Sequence, residues 1–437
     1  MEAHSAHRRV PTVSRVLEDG RIVELLYDPA KGETALAVGA PDGSVAVTSE
    51  LILPSGEQLV PYSARNNLIA TRCVLLAGRV GDDGEKADLL AEVRAYLHRY
   101  VDLSPLFEEI AAHYALLTWV YDAFRELPYL RFQGEYGTGK TRALMTLGSV
   151  CYKPFFASGA STVSPIFHIL DVFQGTLVLD EADFRFSDAT AGLTKILNNG
   201  TVAGMPVLRT MTNRQKEFDP RAFRVFGPKL VGMREQFNDA ALESRFLTEE
   251  TGVRPLRQDV PLQLPGKLAD EAQALRDKLL AWRFRASRTV GADASRAAPG
   301  VAPRLNQTAL ALLSIIDDAS VRAEVHAELQ REHVRLRQDR AATPAGTMAA
   351  VLALLFQQDD ARAVTVARVA DAFNRANSDK LRVPVSHKWV GWFLRTRLKL
   401  TTVKSQGVFV LANTEGPKVM ALAARYGVDR EIDAQAA

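Results

Sequence analysis

Hydrophobic and polar positions change their spacing several times along the 437 residues of the chain, and each change marks a predicted part of the molecule. Between about residues 21 and 80, short runs of β-forming residues alternate with turn clusters such as Pro41-Asp-Gly. The runs predict strands at 22–27, 34–38, 44–48 and 68–76. We therefore expect a small β domain over residues 1–84.

Helical spacing follows at 85–100 and 106–126, where apolar residues recur at steps of three and four. These two segments predict a helical brace over residues 85–126. Over residues 127–252, strand-like runs at 153–157, 175–180 and 229–233 alternate with a helix-like run at 163–172. Such alternation is typical of an α/β core built on a parallel sheet.

The remainder of the chain is predominantly helical. Residues 253–345 predict a helical lid and linker, with helices at 267–285 and 307–337 on either side of a flexible stretch rich in Ala, Ser, Gly and Pro. Residues 346–437 predict helices at 348–357, 366–376 and 387–398, the last capped by Ser386, and then a hairpin at 401–411. This order resembles a winged helix.

A glycine-rich segment, GEYGTGKT at residues 134–141, lies between a strand-like and a helix-like run. It matches the phosphate-binding pattern G-x-x-x-x-G-K-[ST] at every fixed position, and this context supports the match. The backbone of Gly134, Gly137, Thr138 and Gly139 would surround phosphate oxygens. Lys140 would reach the β- and γ-phosphates of ATP, and Thr141 would place its hydroxyl on Mg²⁺.

A pair of acids, Asp180 and Glu181, ends the next apolar run about forty residues later. The carboxyl ends of parallel strands share one edge of a sheet, so both motifs would meet there. Asp180 would hold the water shell of Mg²⁺, and Glu181 would act as the base for an attacking water. The two motifs together predict hydrolysis of a nucleoside triphosphate.

Composition excludes several other classes of protein. No apolar run approaches the length of a membrane span, and the first residues contain no apolar signal core, so we expect a soluble, cytoplasmic protein. Cys73 and Cys151 are far apart, which favours two buried thiols over a disulfide. The histidines are scattered and predict neither a zinc site nor a catalytic triad.

Charge is distributed unevenly, although the net charge of the chain is only +3. Residues 361–413 contain ten Lys or Arg against two acids, which gives this segment a net charge of +8. Such a concentration over the third helix and the hairpin indicates phosphate binding, and it predicts DNA contacts by Lys388, Arg395, Arg397 and Lys404. A solvated basic face on a protein-binding arm is the alternative. The spacing of Trp389, Trp392 and Phe393 predicts that they belong to the core.

The segments after the acid pair occur in a characteristic order. They are LTKILNNG at 193–200, VLR at 207–209, KEFDP at 216–220, FGPKLVGM at 226–233 and DAALESRF at 239–246. This order resembles the helicase core of phage and plasmid primase-helicases of superfamily three, within the AAA+ class, and the resemblance covers about residues 127–247. It implies an α/β P-loop NTPase core.

The resemblance also implies roles for further residues. Arg245 matches the arginine finger that reaches the γ-phosphate held by a neighbouring subunit, which implies a ring, most simply a hexamer. Arg304 matches the second-sensor arginine of the lid. Arg209, Arg214 and Lys216 lie where related motors carry a hairpin that grips DNA. The family's sensor strand ends in Asn, whereas Arg234 follows Met233 here, so the water-positioning role stays unassigned.

Structural roles explain some of the same residues. Arg245 could form an ion pair at the end of a helix, and the cations at 209–216 could be solvated residues of a structural hairpin. The small β domain could serve packing or oligomerisation as well as DNA contact.

Three functions are compatible with the sequence. The first is an ATP-driven DNA motor, a hexameric helicase from a mobile element, with priming supplied by a separate primase or polymerase because the chain contains no primase motif. The second is an ATP-gated DNA-binding switch, such as a replication initiator, loader or regulator. The third is a defence or remodelling ATPase whose terminal domains bind protein.

Overall fold

The computed structural model describes residues 8–159, 161–181, 188–212, 217–237, 239–358, 364–379 and 381–428. The chain divides into two compact units, Met1–Leu329 and Gln330–Ala437. Each unit has a hydrophobic core of its own. Among the described residues, no helix has both the length and the apolar character needed to cross a membrane.

The first unit begins with two small sheets. A four-stranded sheet has the order β2-β3-β4-β5, and a three-stranded sheet has the order β1-β7-β6. The strands are β1 (Arg8–Thr12), β2 (Ser14–Val16), β3 (Ile22–Asp28), β4 (Glu33–Gly39), β5 (Val45–Thr48), β6 (Leu51–Ile52) and β7 (Glu57–Pro61). The predicted strands at 22–27, 34–38 and 44–48 are therefore confirmed.

The strand predicted at 68–76 is wrong. Residues Asn67–Ala70 form a short helix, α1, because the Asn66 side chain accepts a hydrogen bond from the N–H of Leu68 and caps it. Arg72, with φ of +57°, then turns the chain out of the helix. After this turn the segment pairs only briefly with a strand, through an isolated antiparallel bridge between Val74 and Phe155.

A buried cluster of charges joins the first sheet to the helices behind it. Glu24 of β3 accepts from Lys153 at 2.7 Å and from Arg283 at 2.8 Å, and Arg283 also contacts Asp122 at 2.7 Å. Burial raises the pKa of Glu24, but the two cations outweigh it and leave that pKa below its ordinary value. Losing one partner would leave a buried charge uncompensated, at a cost of about 3–5 kcal/mol.

Two helices, α2 (Lys86–Tyr100) and α3 (Pro105–Trp119), follow; the first has nearly its predicted bounds, whereas the second ends before residue 126, where its prediction ended. The side chain of Ser104 caps α3 by accepting from the N–H of Phe107, and Pro105 occupies the first helical position. Nearly every residue of α3 after its first turn is buried. The helix therefore forms one wall of the core, against the sheet described next.

The centre of the first unit is a five-stranded sheet with the order β14-β8-β13-β10-β9, and every neighbouring pair is parallel. The strands are β8 (Tyr129–Gln133), β9 (Phe155–Ser158), β10 (Leu177–Asp180), β13 (Lys229–Met233) and β14 (Phe246–Glu250). The helices between them are α4 (Lys140–Val150), α5 (Val163–Phe173), α6 (Asp188–Asn199) and the short α7 (Ala240–Glu243). This is the α/β core with a parallel sheet that the sequence predicts.

Alternating side chains of the strands face two different cores. Leu130, Phe132 and Val178 pack with α3 and α4, whereas Leu177 and Leu179 pack with α5 and α6. Both faces of the sheet are covered, as is usual for parallel strands. Only the ends of the strands are free to build a site.

An antiparallel hairpin, β11 (Val207–Thr212) and β12 (Phe218–Phe223), is inserted before β13. After β14, the last strand of the central sheet, the chain continues with α8 (Lys267–Ala286), α9 (Pro303–Ile315) and α10 (Ala319–Ala341). The single helix predicted at 307–337 is wrong, because the Asp318 side chain accepts from the N–H groups of Ser320 and Val321 and starts a new helix.

The second unit contains three helices, a hairpin and a final helix. These are α11 (Pro344–Gln358), α12 (Val366–Ala376), α13 (His387–Thr396), β15 (Thr402–Ser405), β16 (Val408–Leu411) and α14 (Gly416–Tyr426). Ser386 caps α13, as predicted. The hairpin turns at Gln406 and Gly407, both with positive φ.

The prediction that Trp392 belongs to the core is wrong. Trp389 is stacked on Phe393 at 4.9 Å, and both rings pack against the core of the second unit. The side chain of Trp392, by contrast, is 47% exposed. It lies on the same helix as the exposed Lys388 and Arg395.

Candidate nucleotide-binding site

The glycine-rich segment connects β8 to α4 and turns twice through left-handed backbone. Gly137 has φ of +74° and Gly139 has φ of +93°, a conformation that residues with a Cβ rarely adopt. Lys140 is the first residue of α4. The loop therefore presents the amino end of a helix, and its positive dipole, at the carboxyl edge of the sheet.

Gly134 is required by a close contact with the edge strand. A Cβ at this position would lie 2.4 Å from Oγ1 and 2.5 Å from the carbonyl oxygen of Thr251, which directly follows β14. The hydroxyls of Thr138 and Thr251 are 2.8 Å apart. The phosphate loop is therefore packed directly on the end of β14.

Lys140 extends back over the loop. Its Nζ donates to the carbonyl oxygens of Gly134 and Glu135, each at 2.6 Å. These contacts hold the ammonium group above the loop backbone, where an anion would be bound. The contact of Lys140 with the β- and γ-phosphates stays a prediction.

The acid pair is adjacent to the loop. Thr141 Oγ1 donates to Asp180 Oδ2 at 2.6 Å. Thr141 lies on α4, which follows β8, and Asp180 ends β10; β13 lies between these two strands in the sheet. The N–H of Glu181 donates to Asp180 Oδ1 at 2.9 Å. Glu181 has φ of +54°, a strained conformation for a residue with a side chain, costing about 1–3 kcal/mol. Strain of this kind is often stored at functional sites.

These residues surround one cavity of about 330 Å³. It is lined by Tyr136, Gly137, Thr138, Gly139, Lys140, Thr141, Arg142, Asp180, Glu181 and Arg234. The predicted phosphate-binding and magnesium-binding residues therefore converge on a single site. A hydroxyl and a carboxylate side by side are suitable ligands for Mg²⁺, and the loop with Lys140 suits a triphosphate.

Arg234 is a site residue to which sequence reasoning gave no role. It follows the last residue of β13, the strand between the loop and the acid pair, and its guanidinium lies 4.2 Å from the centre of the Tyr136 ring. Its place directly after a buried strand was the available signal. The sequence pattern expects Asn at this position, so the arginine was not assigned to the site.

A second cavity of about 400 Å³ lies on the other side of the same loop. It shares Gly137, Thr138 and Gly139 with the first and is also lined by Asp102, Leu256, Val260, Pro261 and Leu262. Arg142 of α4 donates to the carbonyl oxygens of Pro261 at 2.5 Å and Leu262 at 2.6 Å. Its lining combines these apolar residues with the charged residues Glu249, Glu250, Arg142 and Arg254.

Arg245 lies at the amino ends of the strands, on the side of the sheet opposite to the phosphate loop. It immediately precedes β14, and its guanidinium donates to the carbonyl oxygens of Leu197 and Asn198 at the carboxyl end of α6. Burial, more than its neighbours, lowers the pKa of Arg245. Because β14 is parallel to β8, Arg245 is separated from the phosphate loop of its own chain by the length of a strand.

Arg304 does not meet the phosphate loop of its own chain, in contrast to its predicted second-sensor role. It is the second residue of α9, and it donates to the carbonyl oxygen of Ala241 in α7 at 3.2 Å. This position is at the amino edge of the sheet, because α7 directly precedes the start of β14. Arg304 is therefore close to Arg245 and not to Lys140.

The predicted DNA-contacting residues fall into two groups. Arg209 lies on β11, whereas Arg214 and Lys216 are outside the described residues. The other group, Lys388, Arg395, Arg397 and Lys404, is exposed in the second unit. The guanidinium of Arg395 donates to Thr402 Oγ1 at 3.1 Å and so connects α13 to the hairpin.

Comparisons with known proteins give only distant similarities. No protein-family model and no curated protein matches the chain. The apo structure of the NrS-1 C-terminal region has a TM-score of 0.39 and 10% identity, over 89% of this chain and 96% of the other. The X-ray structure of JCV helicase has a TM-score of 0.25 and 15% identity, over 58% of this chain and 61% of the other.

A third similarity is to the structure of Cdc6p from Pyrobaculum aerophilum, with a TM-score of 0.22 and 12% identity, over 76% of this chain and 97% of the other. Such scores indicate neither a shared function nor shared site residues. The α/β core and its glycine-rich loop are evident from the parallel sheet and from the left-handed glycines of the loop.

Proposed function

We propose that this protein is an ATP-hydrolysing, DNA-binding AAA+ motor, a hexameric DNA helicase or translocase that serves the replication of a mobile element. The observation that carries the ATPase part is the convergence of Lys140, Thr141, Asp180 and Glu181 on one cavity at the carboxyl edge of the sheet. Phosphate loops and acidic strand ends in this arrangement are used for phosphoryl transfer.

The proposed roles follow from the positions of the residues. The loop from Gly134 to Gly139 and Lys140 would bind the phosphates of ATP, and Thr141 with Asp180 would hold Mg²⁺. The metal ion, when bound, neutralises charge on the β- and γ-phosphate oxygens. Glu181, exposed at the rim of the cavity, would orient a water molecule and accept its proton.

Arg245 supports an oligomer. A guanidinium can stabilise the charge on a transferring phosphoryl group, but Arg245 is at the far edge of its own sheet. We infer that it completes the site of a neighbouring subunit. Arg304 lies beside it and would face the same neighbour, so its contribution would also be made in trans.

The second unit supports DNA binding. Its three helices followed by a hairpin support the proposal of a winged helix in which α13 would be the recognition helix. Lys388 and Arg395 are exposed on α13, and Trp392 is exposed between them. An aromatic ring within a basic surface can pack on sugars or bases, which strengthens the proposal over a solvated basic face.

Replacing the loop lysine tests the proposal directly. Lys140→Ala should lower DNA-stimulated phosphate release by about 10²-fold or more, because a pre-organised cation at the transferring phosphate is lost. Lys267→Ala, which removes an exposed lysine from α8, is the matched control and should retain wild-type release. Unchanged release by Lys140→Ala would refute the motor.

An ATP-gated DNA-binding switch is the second candidate. It is favoured by one observation, the separate basic unit that could bind duplex DNA without any movement along it. Unwinding of a forked duplex separates the two candidates. A motor unwinds with sustained, DNA-stimulated turnover, whereas a switch binds the duplex and hydrolyses ATP slowly.

A further inference from the structure

The core of the first unit contains a buried ion pair to which the proposed mechanism gives no role. Arg131 Nη1 of β8 donates to Glu243 Oε1 of α7 at 2.7 Å, and the two side chains are 0% and 5% exposed. Burial removes both charges from water, so such a pair is seldom more stabilising than an apolar pair of the same volume. Stability alone therefore does not explain why the core holds two charges here.

Glu243 connects three segments that lead to functional residues. Its Oε1 accepts from Arg131 and, at 2.6 Å, from the N–H of Phe237. Phe237 belongs to the segment that follows β13, three residues after Arg234 of the nucleotide cavity. Glu243 itself ends α7, two residues before Arg245. One carboxylate thus binds the strand that precedes the phosphate loop and the segment after Arg234, and it lies directly before Arg245.

Arg131 is held in one direction by its other contacts. Its Nε donates to Thr248 Oγ1 at 3.0 Å, and its guanidinium lies 5.0 Å from the centre of the Phe246 ring. Both partners lie on β14, the strand that begins directly after Arg245. Because a guanidinium is planar and its donors have fixed directions, these contacts restrict the carboxylate that it binds. The position of Glu243 is therefore coupled to that of β8.

The ion pair is incompletely hydrogen-bonded. Arg131 Nη2 and Glu243 Oε2 are buried, and neither has a hydrogen-bond partner among the described residues. Buried polar groups in native proteins are nearly always paired. A second arrangement, in which both carboxylate oxygens bind both terminal nitrogens of the guanidinium, would satisfy the two atoms. The same side chains could therefore adopt two discrete hydrogen-bonded states, which is what coupling between two sites requires.

We propose that Arg131 and Glu243 are positioning residues that couple the nucleotide cavity of a subunit to its own Arg245. This inference rests on the proposed function, because it takes Arg245 to complete the site of a neighbouring subunit. Neither side chain is among the described lining residues of the cavity, so both act through other residues. A shift of the phosphate loop on ATP binding moves β8, and the ion pair passes that shift to the segment that ends at Arg245.

Replacement of the pair by apolar residues separates positioning from stability. Arg131→Met with Glu243→Leu in one full-length chain removes both charges together, so no buried charge is left unpaired. We expect kcat for ATP hydrolysis to fall by about 10²-fold, because small misplacements of catalytic groups have effects of this size, while the Kd for ATP stays unchanged. Lys278→Met with Glu92→Leu removes a more exposed ion pair between α8 and α2 and should retain wild-type kcat.

Mixed assemblies show whether the pair acts on Arg245. Subunits with Arg245→Ala supply intact pockets, and subunits with Lys140→Ala supply the arginine. Addition of Arg131→Met and Glu243→Leu to the Lys140→Ala chain should abolish the hydrolysis that the mixture recovers, because that chain no longer presents Arg245 correctly. A purely structural pair would leave the recovered hydrolysis unchanged, and that result would overturn the proposal.

Glu243→Gln provides a second test if the double variant does not fold, because it retains the size of the side chain and an acceptor. Its kcat should also fall while its Kd for ATP is unchanged. A wild-type protein that neither binds nor hydrolyses ATP overturns the proposed function. Hydrolysis by the wild type, together with wild-type kcat in a folded variant of the pair, overturns this inference alone.

Discussion

Arg234 is the residue at which this site departs most from the pattern that its sequence resembles. It stands at the end of β13, between the phosphate loop and the acid pair, and it lines the same cavity as Lys140 and Glu181. A guanidinium carries charge and several donors, whereas the Asn expected at this position from the sequence pattern is a neutral amide. We therefore expect Arg234 to stabilise negative charge that develops on the transferring phosphate.

Replacement of Arg234 should separate catalysis from binding. Arg234→Ala should lower kcat for ATP hydrolysis by about 10²-fold, since one pre-organised donor is lost, while the Kd for ATP changes little. Arg234→Lys should recover part of kcat because it retains the charge. Steady-state hydrolysis and equilibrium ATP binding are the measurements. An equal loss in both would assign Arg234 to ground-state binding instead.

Individual site residues were predictable where the signal is local. Lys140, Thr141 and Asp180 belong to short motifs whose spacing fixes their place at the ends of adjacent elements. Trp392 was mispredicted because helical spacing identifies the buried face of α13 but not its margin, and Trp392 lies at that margin. The position of Arg304 near α7 depends on the packing of α9 against α7, which no local pattern records.

Lys229, the first residue of β13, shows how single elements are held in place. Its buried Nζ donates to the carbonyl oxygens of Val225 and Gly227, each at 2.9 Å, and of Gly200 at 3.4 Å. The amine thereby ties the end of α6 to the loop before β13. Burial, and secondarily the charge of Arg245, lowers the pKa of Lys229 to about 7.

This pKa gives the stability of the first unit a specific pH dependence. Between pH 7 and 10.5 the unfolded chain retains a proton on Lys229 that the folded chain has released. The free energy of unfolding should therefore rise with pH in this window, by up to about 1.4 kcal/mol per pH unit. Lys229→Met should remove that contribution. Denaturant unfolding of both proteins at several pH values, with equal slopes, would contradict the prediction.

Elements with continuous apolar runs were the most predictable. β10 and β13 are buried on both faces, and their uninterrupted apolar residues predict this burial. β14 was missed because its sequence ends in two acids, although Glu249 is buried and accepts from the N–H and the hydroxyl of Ser104. A long-range partner makes a strand out of residues that read locally as a surface segment.

At the scale of the whole molecule, the proposed role of Arg245 would make assembly part of the chemistry. The cavity with Lys140 and the edge with Arg245 are at opposite ends of the sheet. One chain therefore presents a pocket at one edge and a guanidinium at the other. A head-to-tail contact between copies is the kind of interface that closes into a ring.

Mixing two inactive variants tests this arrangement. Lys140→Ala lacks a working pocket but retains Arg245, whereas Arg245→Ala retains the pocket but lacks the guanidinium. Each alone should hydrolyse ATP at least about 10²-fold more slowly than the wild type. Their mixture should recover activity, because some interfaces join an intact pocket to an intact arginine. No recovery, in mixtures shown to co-assemble, would assign Arg245 to its own chain.

The contact between Gly134 and Thr251 has a mechanical consequence. β14 contains 5 residues, about 17 Å of extended backbone, with Arg245 at one end and Thr251 against the phosphate loop at the other. A displacement of Arg245 along the strand axis would be transmitted by the extended backbone of β14 to the phosphate loop at Gly134. Hydrolysis in a neighbouring subunit would then change how tightly this subunit binds its nucleotide. The subunits of a ring would hydrolyse ATP one after another.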